Sequence, residues 1–532
     1  MAVEIRDSYK SLSLESKIEM AENPFTPLEV MEALAEDEYE VRLALARNPL
    51  IPPSIMLKLI EDRDERICQL IAENLTILSE AGILKMYESS IIEKIYFTLA
   101  DNEIHWSWIA MNPHAPPELL RKLAESWYSG VREKVARNPN TPVDVLEKLS
   151  TDEDPRVREE VAKNPRTPPD MVWRVIECED KDTRAKIAED LSDPTMLRRL
   201  SEDEDTIVRV MVAMNPKTPA DVLRKLARDD EDTVRKTVAE NPKTPVDVLA
   251  ELAEDECEDV RFCVATNRST PTEILRNLAE DESRVVRKAV AKNPNTPIDV
   301  LVKLAKDEWV KEEVAMNPNT PSEVLESLAE DESEWVRAHV AMNPKTPIDI
   351  LRRLSEDKSR KVRREVAENP NTPVDVLEKL LREEDGLIRF YIARNEGVPV
   401  KILRKLMKSE EVWVGIAENP NTPPGILRKL ANLSGTFEVL VGGGYEEVKE
   451  MIARNPNTPV DVLEKLARDR SNSVRMAVVE NQNTPIEVII KLVCDKIYYI
   501  RRRAVMKVLK YIPLHKLPLY LQISGKPYSH PY

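Results

Sequence analysis

Apolar residues recur along this chain in two short bursts every 26 positions. In the stretch that starts at Asn241 the first burst is Val248, Leu249 and Leu252, and the second is Val260 and Val264. Spacings of three and four give each burst one apolar face on a short helix. The polar punctuation is phased with them. The best copies read Asn-Pro-x-Thr-Pro-x-Asp-Val-Leu-x-x-Leu-Ala-x-Asp, then a variable stretch, then Val-Arg-x-x-Val-Ala-x before the next Asn. Asn138, Asn164, Asn215, Asn241, Asn267, Asn293, Asn317, Asn343, Asn369 and Asn395 mark successive copies. A fixed period of this size means stacked units that pack on their neighbours, an α-solenoid. Counting the degenerate anchors Asn74 and Asp190, the chain holds about eighteen two-helix units, each too short to fold alone.

The punctuation predicts how each unit starts and stops. Thr244 is the expected N-cap, Pro245 the N1 residue, and Asp247 the acidic partner of a capping box. Asp255 ends the first helix and is expected to cap the second, and Asn267 stops the second. Two further columns recur. An Arg follows the second-helix Val (Arg132, Arg235, Arg261, Arg337, Arg475), and an Asp closes the first helix (Asp152, Asp255, Asp281, Asp357). They read as an inter-repeat salt-bridge and capping ladder in preference to a charged binding strip. The Asn column reads the same way, its amides bridging the backbones of adjacent turns.

The departures from the period divide the chain. Residues 1–22 form an N-terminal cap and 23–430 the main array, with an insertion near 75–105 expected to hold an extra helix. Residues 177–194 lose the Asn-Pro and Thr-Pro signals and suggest a bent or mobile unit. Residues 431–447 form a glycine-rich loop, 448–495 resume the repeats, and 496–532 form a basic, tyrosine-rich cap and tail. The glycine loop lacks the GK[ST] and βαβ context of a phosphate site.

Composition sharpens this picture. The 532 residues carry a net charge of −17, yet residues 496–532 carry eight basic residues and no acid, which leaves −25 for the rest by subtraction. Tyr498, Tyr499, Arg501, Arg502, Arg503, Lys507, Lys510, Lys516 and Lys526 are the candidate partner- or RNA-binding residues of this tail. Basic groups interleaved with aromatics suit RNA, the acidic body of a second copy, or solvent on a capping helix. Trp309, Trp335 and Trp413, with Tyr499, stand just before the second-helix Val and form a candidate protein-binding row. Wide side chains shielding the groove between helices are the other reading of that row.

The five cysteines and five histidines show no metal or catalytic spacing, so no catalytic residue, cofactor or metal site is assigned, and an enzyme is not expected. No apolar stretch spans a membrane or forms a signal peptide, which points to the cytoplasm. Three glutamines against abundant Glu, Lys and Arg suit a thermophile.

The Asn-Pro-x-Thr-Pro and Val-Arg-x-x-Val-Ala motifs resemble the variant leucine-rich-repeat family, from about Ile18 to Arg503. That resemblance implies an all-α, right-handed, HEAT-like solenoid whose second helix is shorter and often 3₁₀. Some members bear an iron–sulfur cluster near the N-terminus; only Cys68 stands in that region, so no cluster is carried over. Length, composition and basic tail are also similar to archaeal ribosome dimerisation factors. That likeness implies a homodimer bound to ribosomal proteins and rRNA of the small subunit, blocking subunit joining. The function expected is therefore a non-catalytic scaffold on a large assembly, with no small-molecule substrate. A protein–protein adaptor without RNA contact, and more remotely a helical-repeat DNA glycosylase, are the alternatives.

Overall fold

The structure is a computed structural model that describes residues 12–23, 26–61, 63–84, 89–383, 385–433 and 444–511. All regular elements among them are helical. They fall into two compact units: residues 1–175 with 427–432 and 449–532, and residues 176–426 with 433–448. The first unit thus joins the opening repeats to the closing ones.

The repeat from Asn241 shows how the period becomes structure. The first helix is Val246–Leu252 and buries Val248, Leu249 and Leu252; the second is Glu258–Thr266 and buries Val260, Cys263, Val264 and Ala265. Second helices pack directly on those of adjoining repeats, whereas these first helices pack mainly on the second helices beside them. Burying one Leu or Val side chain contributes about 1.5–3 kcal/mol. These stripes, and not helix propensity, hold the array together. Both helices are α-helical, and the second is the longer at nine residues against seven. The family resemblance implied the reverse. Among the described residues, complete 3₁₀ turns form at Glu103–His105 and Glu410–Val412.

The start of the first helix differs from expectation. Pro245, not Thr244, is the N-cap, at φ −60° and ψ 149°. The Thr244 hydroxyl instead donates backwards to the Val238 carbonyl at 2.5 Å, a last-turn group of the preceding helix that also accepts from the Asn241 amide. Asp247 closes no capping box; its carboxylate pairs with Arg224 of the previous repeat at 2.8 Å. Proline fixes the backbone at the entry, so the threonine is released for the helix behind it.

The two ladders take the form expected. Asn267 is the C-cap of its helix, and its Nδ2 donates to the Ala239 and Asn241 carbonyls of the previous repeat at 2.7 and 3.1 Å. Its Oδ1 accepts from the Ser269 amide at 2.8 Å. Arg235 donates to Asp255 of the next repeat at 2.7 and 3.0 Å and to its own Asp229 carbonyl at 2.8 Å. Asp255 in turn accepts from the Cys257 amide, one residue before the second helix starts. Burial raises the Asp255 carboxyl, but the bonds from Arg235 and the Cys257 amide outweigh it and hold the group below the usual range.

Two departures are more regular than the sequence suggested. Among the described residues near 75–105 no α-helix is added to the two of each repeat. One helix runs Glu65–Glu80, through Asn74, and ends in a Schellman turn with Gly82 at φ 71°. The next first helix, Ser89–Leu99, is eleven residues long and stacks on Pro53–Ile60. The amide ladder breaks at that place. Asn74 Oδ1 and Asn112 Nδ2 are buried without a hydrogen-bond partner, because Asn74 lies inside a helix. Residues 177–194 are an ordinary helical unit. Asp180 and Asp193 cap the helices Lys181–Asp190 and Pro194–Leu200, and the Leu191 carbonyl, not Asp190, serves as the anchor for Asn215. The glycine-rich loop at 431–447 falls largely at 434–443, outside the described residues.

Candidate interaction surfaces

The first surface lies on second helices of the 176–426 unit and on the turn that leads into one of them. Counted back from the anchor Asn, Trp309 and Trp335 occupy the same position eight residues before Asn317 and Asn343. They are 61% and 51% exposed. One residue before each anchor stand Met316 and Met342, also exposed. Positions seven apart share a helix face, so Trp335 and Met342 lie on one side of the helix Glu334–Met342. Trp309 stands in the turn that leads into the helix Lys311–Met316, whose last residue is Met316. The Arg284 guanidinium of the preceding repeat lies over the Trp309 ring, 5.0 Å from its centroid. Lys361 of the following repeat lies over the Trp335 ring. Carboxylates surround the pair. Glu308 pairs with Lys311 at 2.6 Å, and Glu334 accepts from the Ser359 hydroxyl at 2.6 Å. His339, between Trp335 and Met342, is held towards its neutral form by burial, with Glu312 opposing.

Trp413 does not belong to that row. It stands six residues before Asn419, the ladder-arginine position, and is 6% exposed. Its indole Nε1 donates to the Met407 carbonyl at 3.0 Å, six residues back, as Arg337 Nη1 donates to the Asp331 carbonyl at 2.8 Å. Trp106 makes the same substitution, donating to the Ala100 carbonyl at 2.9 Å. Counting back from the anchor Asn separates six from eight and would have revealed this. The exposed methionines carried the same signal and went unread.

The second surface is the helix Tyr498–Tyr511 in the other unit. It packs on Glu65–Glu80, and much of its basic chemistry is used inside the chain. Arg501 is 1% exposed; it donates to the Asp495 carbonyl at 2.8 Å and pairs with Glu73. Arg502 pairs with Glu80. Lys507 donates to the Val479 and Asn481 carbonyls at 2.7 and 2.5 Å, where the ladder would place an Asn, and burial lowers its pKa. The Tyr498 ring meets Trp108 edge-on at 5.6 Å, and burial raises its hydroxyl pKa. Tyr499, Arg503, Lys510 and Tyr511 remain exposed. Lys516 and Lys526 lie outside the described residues.

Among the described residues no group of His, Cys, Asp and Glu is placed to hold a metal ion. No helix there is long and apolar enough to cross a membrane.

These features define the class: an all-helical repeat solenoid. The family model for the leucine-rich repeat variant matches residues 130–154, 232–256 and 360–385. Among solved structures the chain is similar to a leucine-rich repeat variant with a novel repetitive structural motif, at 24% identity over 48% of this chain and 87% of that one, TM-score 0.28. It is also similar to the karyopherin Kap121p bound to the SUMO protease Ulp1p, at 12% identity over 96% and 69% of the two chains, TM-score 0.36. The corresponding values for Kap95p with RanGDP are 12%, 97%, 74% and 0.29. No functionally curated protein matches the sequence.

Proposed function

We propose that this protein is a non-catalytic scaffold that binds other proteins through the surface carrying Trp309 and Trp335. The observation that carries the reading is the exposure of two tryptophans and two methionines on adjoining repeats. Large aromatic and methionine side chains left in solvent as a group mark recognition surfaces, and tryptophan anchors contribute disproportionately to binding. The charge of −25 over residues 1–495 favours basic partners.

The most specific partner of that kind is the small ribosomal subunit, whose basic proteins would meet an acidic body. In that form the protein acts as a homodimeric, cytoplasmic silencing factor. Protein contact is favoured over rRNA contact, because Arg501, Arg502 and Lys507 are already bonded within the chain. Full-length protein mixed with purified small subunits is expected to co-sediment on sucrose gradients at low salt and to dissociate at high salt. Protein that stays at the top of the gradient at both salts removes the ribosomal form. A native pull-down that returns no protein partner removes the scaffold reading itself.

A further inference from the structure

Building on the scaffold reading, we infer that Trp309 and Trp335 form a receptor for the lysine or arginine side chains of an extended, basic segment of a partner protein. Three observations converge on this chemistry. The first is spacing. The rings stand on adjoining repeats, Trp335 in its second helix and Trp309 in the turn that leads into its own, and packed helices lie about 8–10 Å apart. An extended strand rises about 3.3 Å per residue. Side chains about three residues apart therefore match the interval between the rings.

The second observation is that both rings already receive cations. Arg284 and Lys361 come from the repeats on either side of the pair, so each ring meets a positive group contributed from outside the two-repeat interval. About half or more of each tryptophan stays exposed, which leaves ring surface for a ligand. Cation–ring attraction contributes about 0.5–2 kcal/mol per contact, more as water is excluded. Met316 and Met342 add apolar surface for the aliphatic stems of lysine and arginine.

The third observation is the local field. Glu312, Glu332 and Glu334 belong to these two repeats and form no ion pair among the described residues; Glu332 and Glu334 are exposed. They repel phosphate, so nucleic acid and anionic lipid are disfavoured on this face, while a basic polypeptide is attracted to it.

The test uses full-length protein and a fluorescein-labelled peptide of alternating lysine and leucine, with its glutamate–leucine counterpart as control. The basic peptide is expected to bind by fluorescence anisotropy and the acidic one not to bind. The W309A/W335A double substitution replaces exposed side chains and is expected to keep the wild-type circular dichroism while weakening the basic peptide about tenfold or more. E312Q/E332Q/E334Q is expected to weaken it too and to flatten its salt dependence. Unchanged affinity in the tryptophan variant, no binding to the wild type, or equal binding of the acidic peptide overturns the inference. So does displacement of the peptide by single-stranded RNA from the wild type at the same strength as by unlabelled peptide. The two readings fail separately. Partner capture from lysate that persists in W309A/W335A leaves the scaffold standing and removes this site. An empty pull-down combined with tryptophan-dependent peptide binding does the opposite.

Discussion

Arg501 and Glu73 stand 428 residues apart in sequence and form a buried ion pair. Arg501 occupies the ladder position of the last described helix, where Arg235, Arg261, Arg337 and Arg475 of this column find their carboxylates in the following repeat. No further repeat is described there, and the Glu65–Glu80 helix supplies the missing acid. Burial lowers the pKa of Arg501, with Glu73 opposing, so the pair exists at a desolvation cost.

Removing one partner of that pair strands a charge. Glu73→Gln is expected to destabilise the packing of Tyr498–Tyr511 on Glu65–Glu80 by about 3–5 kcal/mol. Replacing both at once, Glu73→Leu with Arg501→Met, is expected to cost clearly less, since neither charge is then buried alone. Hydrogen–deuterium exchange over residues 498–511 is the measurement. Protection there should fall sharply in the single variant and recover in the double one. Equal exchange in all three proteins would remove the energetic role assigned to the pair.

The amide ladder makes a second expectation. Asn343 donates to the Ala315 and Asn317 carbonyls at 2.7 and 2.9 Å and is 2% exposed. Asn343→Ala removes both bonds, leaving the Ala315 carbonyl without its amide donor while the Asn317 carbonyl keeps the Thr320 amide, and should destabilise the surrounding repeats by about 2–3 kcal/mol. Asn371, three residues into the next turn but exposed, donates only to the Pro344 carbonyl at 2.6 Å. Asn371→Ala should change stability by no more than about 0.5 kcal/mol. Paired urea melts of the two variants decide whether the amide or the residue type matters.

The contrast explains how far the sequence can be read. Period, helix pairs, apolar stripes and both ladders were legible because each is a local rule repeated many times, and repetition averages out exceptions. The helix start was misread because Thr-Pro suits two arrangements. Only tertiary structure shows that the Thr244 hydroxyl faces the helix behind it. The basic tail was misleading for a different reason. Arg501, Arg502 and Lys507 look like a free positive patch, and their partners Glu73, Glu80 and the Asn481 carbonyl have no sequence signature that links them. The Trp309–Trp335 pair was visible, whereas the faces its rings present were not.

Trp106 offers a test of the arginine column. Where other repeats place an Arg, Trp106 donates its indole N–H to the Ala100 carbonyl. The residue that aligns with the ladder Asp of the next repeat is Ser126, which is buried and has no carboxylate. Trp106→Arg is therefore expected to destabilise the protein, since it sets a partly buried guanidinium opposite a serine. Adding Ser126→Asp should recover about 1–3 kcal/mol of that loss as coupling between the two sites. A thermal-melt double-mutant cycle measures it, and a coupling indistinguishable from zero would mean that the column is not a pairwise ladder at this repeat.

Acid should unfold the array through the same column. The carboxyls of Asp255, Asp307, Asp331, Asp357 and Asp469 all lie below the ordinary value of 3.8. Burial raises each, but bonds from the ladder cation and from a turn amide prevail. A group whose folded pKa is depressed contributes stability that is complete above its unfolded value and is lost as pH falls through the folded one. The urea midpoint should therefore be flat down to about pH 4 and then drop steadily at lower pH, because unfolded aspartates take up protons before the folded ones do. Because several rungs share this depression, the fall should be steeper than for one group. Asp255→Asn removes one rung and should lower stability near neutrality while making the acid slope shallower. A variant that starts lower and keeps the full wild-type slope would show that the acid sensitivity resides outside this ladder.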